Sequence, residues 1–250
     1  MSYLDFHLIF TIPLFFIIGF INKNNPMAFG KKSLQATSLL CLLALLYTTP
    51  WDSYLIKENI WSYSPNRVLG TLFYIPFEEY FFFFIQTIIG CLFTSFIYWK
   101  FSAKEKQKLD VSPIQWISVA CLWPILIFTL FTLQPENQNR YLWLVFFWAI
   151  PVLIMQWSVG YKILFKEKFT WIFTVSALCS YFWLADSLAI SKEIWTFPEN
   201  TISGLKLFNI LPIEEALFFL VTNLMVVQGY ILFTTVDFKN SNLWRLKNNV

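Results

Sequence analysis

Charge is what this sequence has least of. Asp, Glu, Lys and Arg make up 13% of its 250 residues, whereas a soluble domain carries about 25%. With 57% hydrophobic and 21% aromatic residues, that shortfall excludes an ordinary soluble fold and reads as an integral membrane protein. Glycine is scarce too. Seven glycines are too few for phosphate-cradling loops, and no dinucleotide fingerprint, P-loop, His-Glu-x-x-His or Cys-x-x-Cys pattern occurs. The single histidine, His7, lacks the companions a metal site needs and reads as a polar interface residue. The four cysteines, Cys41, Cys91, Cys121 and Cys179, all fall inside apolar runs and read as small core residues. The net charge is only +3, and the basic residues sit in short clusters between apolar runs. That fits orienting loops and not a nucleic-acid surface. Asp5 stands where a signal peptide would be basic, so cleavage is not expected.

What is present is seven apolar runs, at about 3–21, 34–51, 76–99, 114–133, 141–164, 169–190 and 211–236. Each is close to the ~20 residues needed to span the hydrocarbon. Lys and Arg number three in loop 22–33, four in 100–113, two in 165–168 with Lys162 just before, and three from 237 onward. The alternate loops hold fewer: two in 52–75, one in 134–140 and two in 191–210. The positive-inside rule predicts an outside N-terminus and a cytoplasmic C-terminus in the cell's inner membrane.

The chain also repeats itself. "DSYLIKENIWSY" at 52–63 matches "DSLAISKEIWTF" at 186–197 without a gap, an offset of 134 that also aligns Asn66 with Asn200 and Gly70 with Gly204. Two extra residues then bring "PFEEYFFFF" at 76–84 onto "PIEEALFFL" at 212–220, and "YLDF…P" at 3–13 resembles "YLWL…P" at 141–151. The expected fold is all-α, with seven transmembrane helices as two parallel three-helix repeats and a linker helix between them. The units expected are a first repeat at 1–112, a linker at 113–140 and a second repeat at 141–250.

Glu78, Glu79, Glu214 and Glu215 therefore start the third helix of each repeat, and Asp52 and Asp186 end the second. Capping is the plain explanation, since acids in a first turn complement the helix dipole. A dipole needs one acid, though, and adjacent like charges disfavour joint ionisation, so one of each pair is expected to hold a proton. A polar stripe continues inward from the second acid: Gln86 and Thr87 after Glu79, Thr222 and Asn223 after Glu215. At helical spacing these lie on one side, ~10 Å deeper, and such a stripe faces the bundle interior. Glu78 and Glu214 share a face with apolar residues. Phe82, Phe83, Phe218 and Phe219 flank the stripe. A protonatable acid beside aromatic faces suits a carbocation intermediate, because ring quadrupoles attract cations.

The paired "PFEEYFF" and "PIEEALFF", the "YL" starts and the three-one-three layout resemble the lycopene cyclase domain. That domain occurs as heterodimeric bacterial cyclases, as fused two-half versions, and at the N-terminus of fungal bifunctional lycopene cyclase/phytoene synthases. The resemblance covers essentially the whole chain. It implies proton-initiated, redox-neutral closure of the ψ ends of lycopene into β-ionone rings, without flavin, metal or other cofactor. It makes the Glu pairs catalytic, and the position of Asp52 and Asp186, each just outside the helix before a Glu-Glu helix, reads as that of rim acids that orient or recharge the donor. Partners would be an apolar carotenoid taken from the bilayer, membrane lipid and upstream carotenoid enzymes. Two alternatives stand beside it. A small seven-helix transporter needs polar residues deep in its first helices, which this chain largely lacks. An intramembrane prenyltransferase needs clustered aspartates for Mg²⁺ and diphosphate, and Asp52 and Asp186 stand alone.

Overall fold

A computed structural model describes residues 1–102, 124 and 138–236. Six helices of 19–27 residues are long and apolar enough to cross a membrane: α1 (Tyr3–Ile21), α2 (Lys31–Lys57), α3 (Phe77–Phe101), α4 (Arg140–Lys166), α5 (Lys168–Ser191) and α6 (Ile213–Thr235). Each coincides with an expected run and extends or trims it by a few residues. The run at 114–133, the linker and the tail from 237 lie outside the described residues. At ~1.5 Å per residue each helix reaches across a hydrocarbon core of ~30 Å. α3 and α6 are the inner helices, with 67% and 61% of their most apolar stretch buried, against 22% for α1. Leu46, Phe16 and Phe20 instead point outward, as lipid-facing residues do.

Inter-helix hydrogen bonds fix the helix directions. Tyr3 bonds to Glu79 and Tyr141 to Glu215, so α1, α3, α4 and α6 all start at one end, called here the acid end. At the other end Asn22 donates to the Leu92 carbonyl (3.1 Å), Asn25 to Ser95 Oγ (3.1 Å), and Ser33 shares a hydrogen bond with Tyr230 (2.6 Å). These buried amides and hydroxyls tie α1, α2, α3 and α6 where bilayer hydrocarbon offers no competing partner. Side chains of one helix press onto glycines of the next, the small-residue packing common between membrane helices. A Cβ at Gly160 of α4 would lie 2.2 Å from Leu232 Cδ2 of α6, and one at Gly90 of α3 would lie 3.0 Å from Val226.

α1 opens with a capping box, Ser2 accepting from the Asp5 amide and Asp5 from the Ser2 amide. Its ladder then widens into a π turn over His7–Thr11. Pro13 follows at once and has no N–H to offer a carbonyl one turn back.

The acid end carries short strands that an all-α expectation omits. β1 (Ser62–Tyr63) pairs antiparallel with β4 (Trp195–Thr196), β2 (Thr71–Leu72) with β3 (Ile75–Pro76), and β5 (Lys206–Leu207) with β6 (Leu211–Pro212). Ser62 faces Thr196 in the first pair, and these are matched residues at the offset of 134. The two copies thus meet at a local twofold axis. The β2–β3 turn holds Phe73 and Tyr74 at positive φ, while the β5–β6 turn has one residue more and holds Phe208 and Asn209 so. Pro76 and Pro212 close these hairpins as extended N-caps. Each therefore precedes the first helical residue.

Candidate active site

Four carboxylates converge beneath the strands. Asp52, Asp186, Glu79 and Glu215 are 4% exposed or less, and each aspartate lies within electrostatic reach of both glutamates. Asp52 and Asp186 sit inside α2 and α5, a turn or more before Lys57 and Ser191 end them. They are buried helix residues and not the helix-end rim acids the sequence suggested. Their carboxylate oxygens make no well-formed hydrogen bond. The Trp195 indole lies beside Asp186 but outside good hydrogen-bond geometry, so its pull on that carboxylate is loose.

Glu79 and Glu215 are held differently, by tyrosines. Tyr3 of α1 and Tyr63 of β1 both donate to Glu79 Oε2, the latter at 2.7 Å. Tyr141 of α4 donates to Glu215 Oε2 at 2.5 Å. Tyr63 lies outside the spans, where burial first and the Glu79 charge second push its ionisation well above the usual phenol range. It therefore stays an O–H donor.

Glu78 and Glu214 are also buried, yet they serve the loops. Glu78 Oε1 accepts from the Leu69 amide (2.8 Å), and Glu214 Oε1 from the Ser203 amide (2.7 Å). Each fastens the strand-bearing loop onto the helix it starts. The inward stripe is partly self-satisfied: Thr87, Thr222 and Asn223 bond to carbonyls one turn back in their own helices, at 2.7–2.8 Å. Thr222 is only half-buried. Gln86 is buried with its Nε2 unpartnered, a polar group aimed into the bundle.

Phe82, Phe83, Phe218 and Phe219 are all buried, and three of them join a chain of rings that crosses between the copies. Trp148, Trp51, Phe218, Phe219, Phe182 and Phe82 follow one another with centroids 4.8–5.9 Å apart. Trp51 adjoins Asp52, and Phe182 lies one turn from Asp186. Desolvated ring faces of this kind attract a cation by ~2 kcal/mol each. Among the described residues, no group of three or more His, Cys, Asp or Glu side chains is arranged to hold a metal ion.

Sequence reasoning did not find Tyr3, Tyr63, Tyr141, Trp51, Trp148 or Phe182. The matched "YL" starts held the signal for Tyr3 and Tyr141, since a phenol repeated at two helix starts has the same claim as a repeated acid. His7 was misjudged. It is 1% exposed, stacks on Tyr3 with centroids 4.8 Å apart, and contacts the Glu78 carbonyl at 2.9 Å. The π turn is what swings it inward, a common use of such turns near functional sites.

A family model described as "Lycopene cyclase" matches residues 2–99 and 115–233. The chain is similar to a protein named bifunctional lycopene cyclase/phytoene synthase from Arthroderma gypseum, 35% identical over 92% of this chain and 41% of that protein. A protein of the same name from Gibberella fujikuroi is 33% identical, again over 92% of this chain and 40% of its own length. A lycopene beta-cyclase from Halobacterium salinarum is 32% identical over 79% of this chain and 81% of that protein. The chain thus spans about two-fifths of the fungal relatives and most of the archaeal one. No solved structure matches.

Proposed function

The chain belongs to the lycopene cyclase family, and we propose that it closes the ψ ends of lycopene into β-ionone rings inside the membrane. The observation that carries this reading is the pairing of Glu79 and Glu215 with buried tyrosines above a continuous aromatic chain. One stripe-facing glutamate gives a proton to the terminal alkene. The tertiary cation forms against ring faces that stabilise it without trapping it as water would. The neighbouring double bond attacks, and a carboxylate removes a ring proton to set the new alkene. No electrons are gained or lost overall, so the sequence balances on proton transfers alone. Asp52 and Asp186, within reach of both glutamates, return protons between turnovers. Glu78 and Glu214 support the site by holding its roof.

The proposed architecture is seven spans as two parallel triplets, 1–112 and 141–250, about a linker at 113–140. α3 ends at the end opposite the one where α4 begins, which supports the proposed seventh span. The twofold pairing of Ser62 with Thr196 supports parallel copies. Loop charges support an outside acid end and a cytoplasmic C-terminus. The substrate arrives from lipid, passed on by the enzymes that make it.

Expression in a lycopene-accumulating bacterium, followed by pigment chromatography, tests this directly. Wild type is expected to yield cyclic carotenoid. Glu79→Gln and Glu215→Gln keep the volume but remove the exchangeable acid, and a loss of about 10²–10⁴-fold or more is expected in at least one. Near-normal yield from both single variants and from the double variant would make the glutamates mere caps.

A further inference from the structure

The two copies build corresponding contacts around their glutamates, and the places where they differ are informative. Tyr63 stacks on Tyr3 with centroids 5.8 Å apart and planes at 19°. Phe197, its match at the offset of 134, stacks on Tyr141 at 5.8 Å and 18°. The ring is kept and the hydroxyl is lost. Among the described residues, Glu79 Oε2 therefore receives two O–H donors and Glu215 Oε2 only Tyr141's. Around Tyr3 lies the buried, hydrogen-bonded His7; the position matching His7 by the aligned "YL" starts is Val145, which is fully buried. Glu79 thus sits in the more polar of the two settings.

An ionised carboxylate is an acceptor only, and two converging phenols suit one that is already negative. A neutral carboxylic acid is the weaker acceptor, and the single phenol on Glu215 stabilises its ionised form less than the two on Glu79 do. We infer that Glu215 is the acid that gives the proton and Glu79 the carboxylate that takes one back. This assignment rests on the cyclase reading above. In the forward step the Glu215 O–H bond breaks and a C–H bond forms at the terminal alkene. The adjacent double bond then supplies the electron pair for ring closure. Glu79 removes the ring proton, and that C–H pair becomes the ring double bond. Glu79 is left protonated and Glu215 ionised, and Asp52 and Asp186 carry the proton back.

Membranes containing each variant, supplied with lycopene in deuterated water, separate the two tasks. Glu215→Gln is expected to return lycopene without deuterium and without rings. Glu79→Gln is expected to return deuterated lycopene, or rings whose double bond is misplaced because another base took the proton. Tyr63→Phe, which gives Glu79 the donor set of Glu215, is expected to raise the share of misplaced ring double bonds by about tenfold, the loss of one hydrogen bond to a charged group. Label in the Glu215→Gln products overturns the assignment, as does unlabelled lycopene from a Glu79→Gln protein that still inserts in the membrane. Unchanged ring fidelity in Tyr63→Phe overturns it independently of how Glu79→Gln folds. If wild type itself makes no ring, it is the cyclase reading that fails.

Discussion

Asp52 and Asp186 each bury two carboxylate oxygens without a well-formed hydrogen bond. Leaving a buried polar group unmet costs about 1–3 kcal/mol, so these side chains do not earn their place by stabilising the helices. Asparagine at either position removes the proton-carrying group while keeping the shape. Asp52→Asn and Asp186→Asn are therefore expected to insert in membranes at wild-type levels and to slow cyclisation about tenfold or more, since both act on proton supply. Full pigment yield from the double variant would show that neither carries protons. The sequence displayed both aspartates through the repeat but misjudged their depth. Hydropathy ends a helix at the first charge, whereas α2 runs on to Lys57 because its turns past Asp52 still pack, with Leu55 fully buried.

At the scale of the element, length and apolarity were enough to find all six described helices, because a span must satisfy its own backbone hydrogen bonds and only a long apolar helix does so alone. The strands were not legible. Two residues carry no period, and their turns use Phe73-Tyr74 and Phe208-Asn209 where a two-residue hairpin usually announces itself by Asn-Gly. What holds the helices is equally hidden, because a glycine's partner is not written next to it. Gly160 faces Leu232 across the α4–α6 contact, where a Cβ would come within 2.2 Å. Gly160→Val is expected to lower stability by about 1–3 kcal/mol through overpacking, read as an earlier thermal transition in detergent. Leu232→Ala added to it is expected to restore part of that loss, whereas additive losses would place the strain elsewhere.

For the whole molecule, the aromatic chain and the acid cluster both draw on the two copies. Trp51 comes from one and Trp148 from the other, and each aspartate senses both glutamates. Residues 1–112 and 113–250 made as separate chains are accordingly expected to give cyclic carotenoid only when expressed together. Full activity from either alone would break the shared site. This much could be read from the internal match, which aligned the acids before any contact was known. Tyr3 and Tyr141 escaped because a helix start 76 or 74 residues away in sequence says nothing of which glutamate it will meet.

The pairing of Ser62 with Thr196 about a local twofold axis has one more consequence. Two identical subunits meeting at such an axis must carry the same residue at every equivalent position, so neither side can be altered without altering its mirror. Joining the copies in one polypeptide lifts that constraint. Position 63 can keep its hydroxyl while 197 gives it up, and position 7 can hold an imidazole while 145 holds an isopropyl group. A covalent link between related halves thus lets a near-symmetric scaffold carry a reaction whose first and last steps ask opposite things of the same kind of side chain.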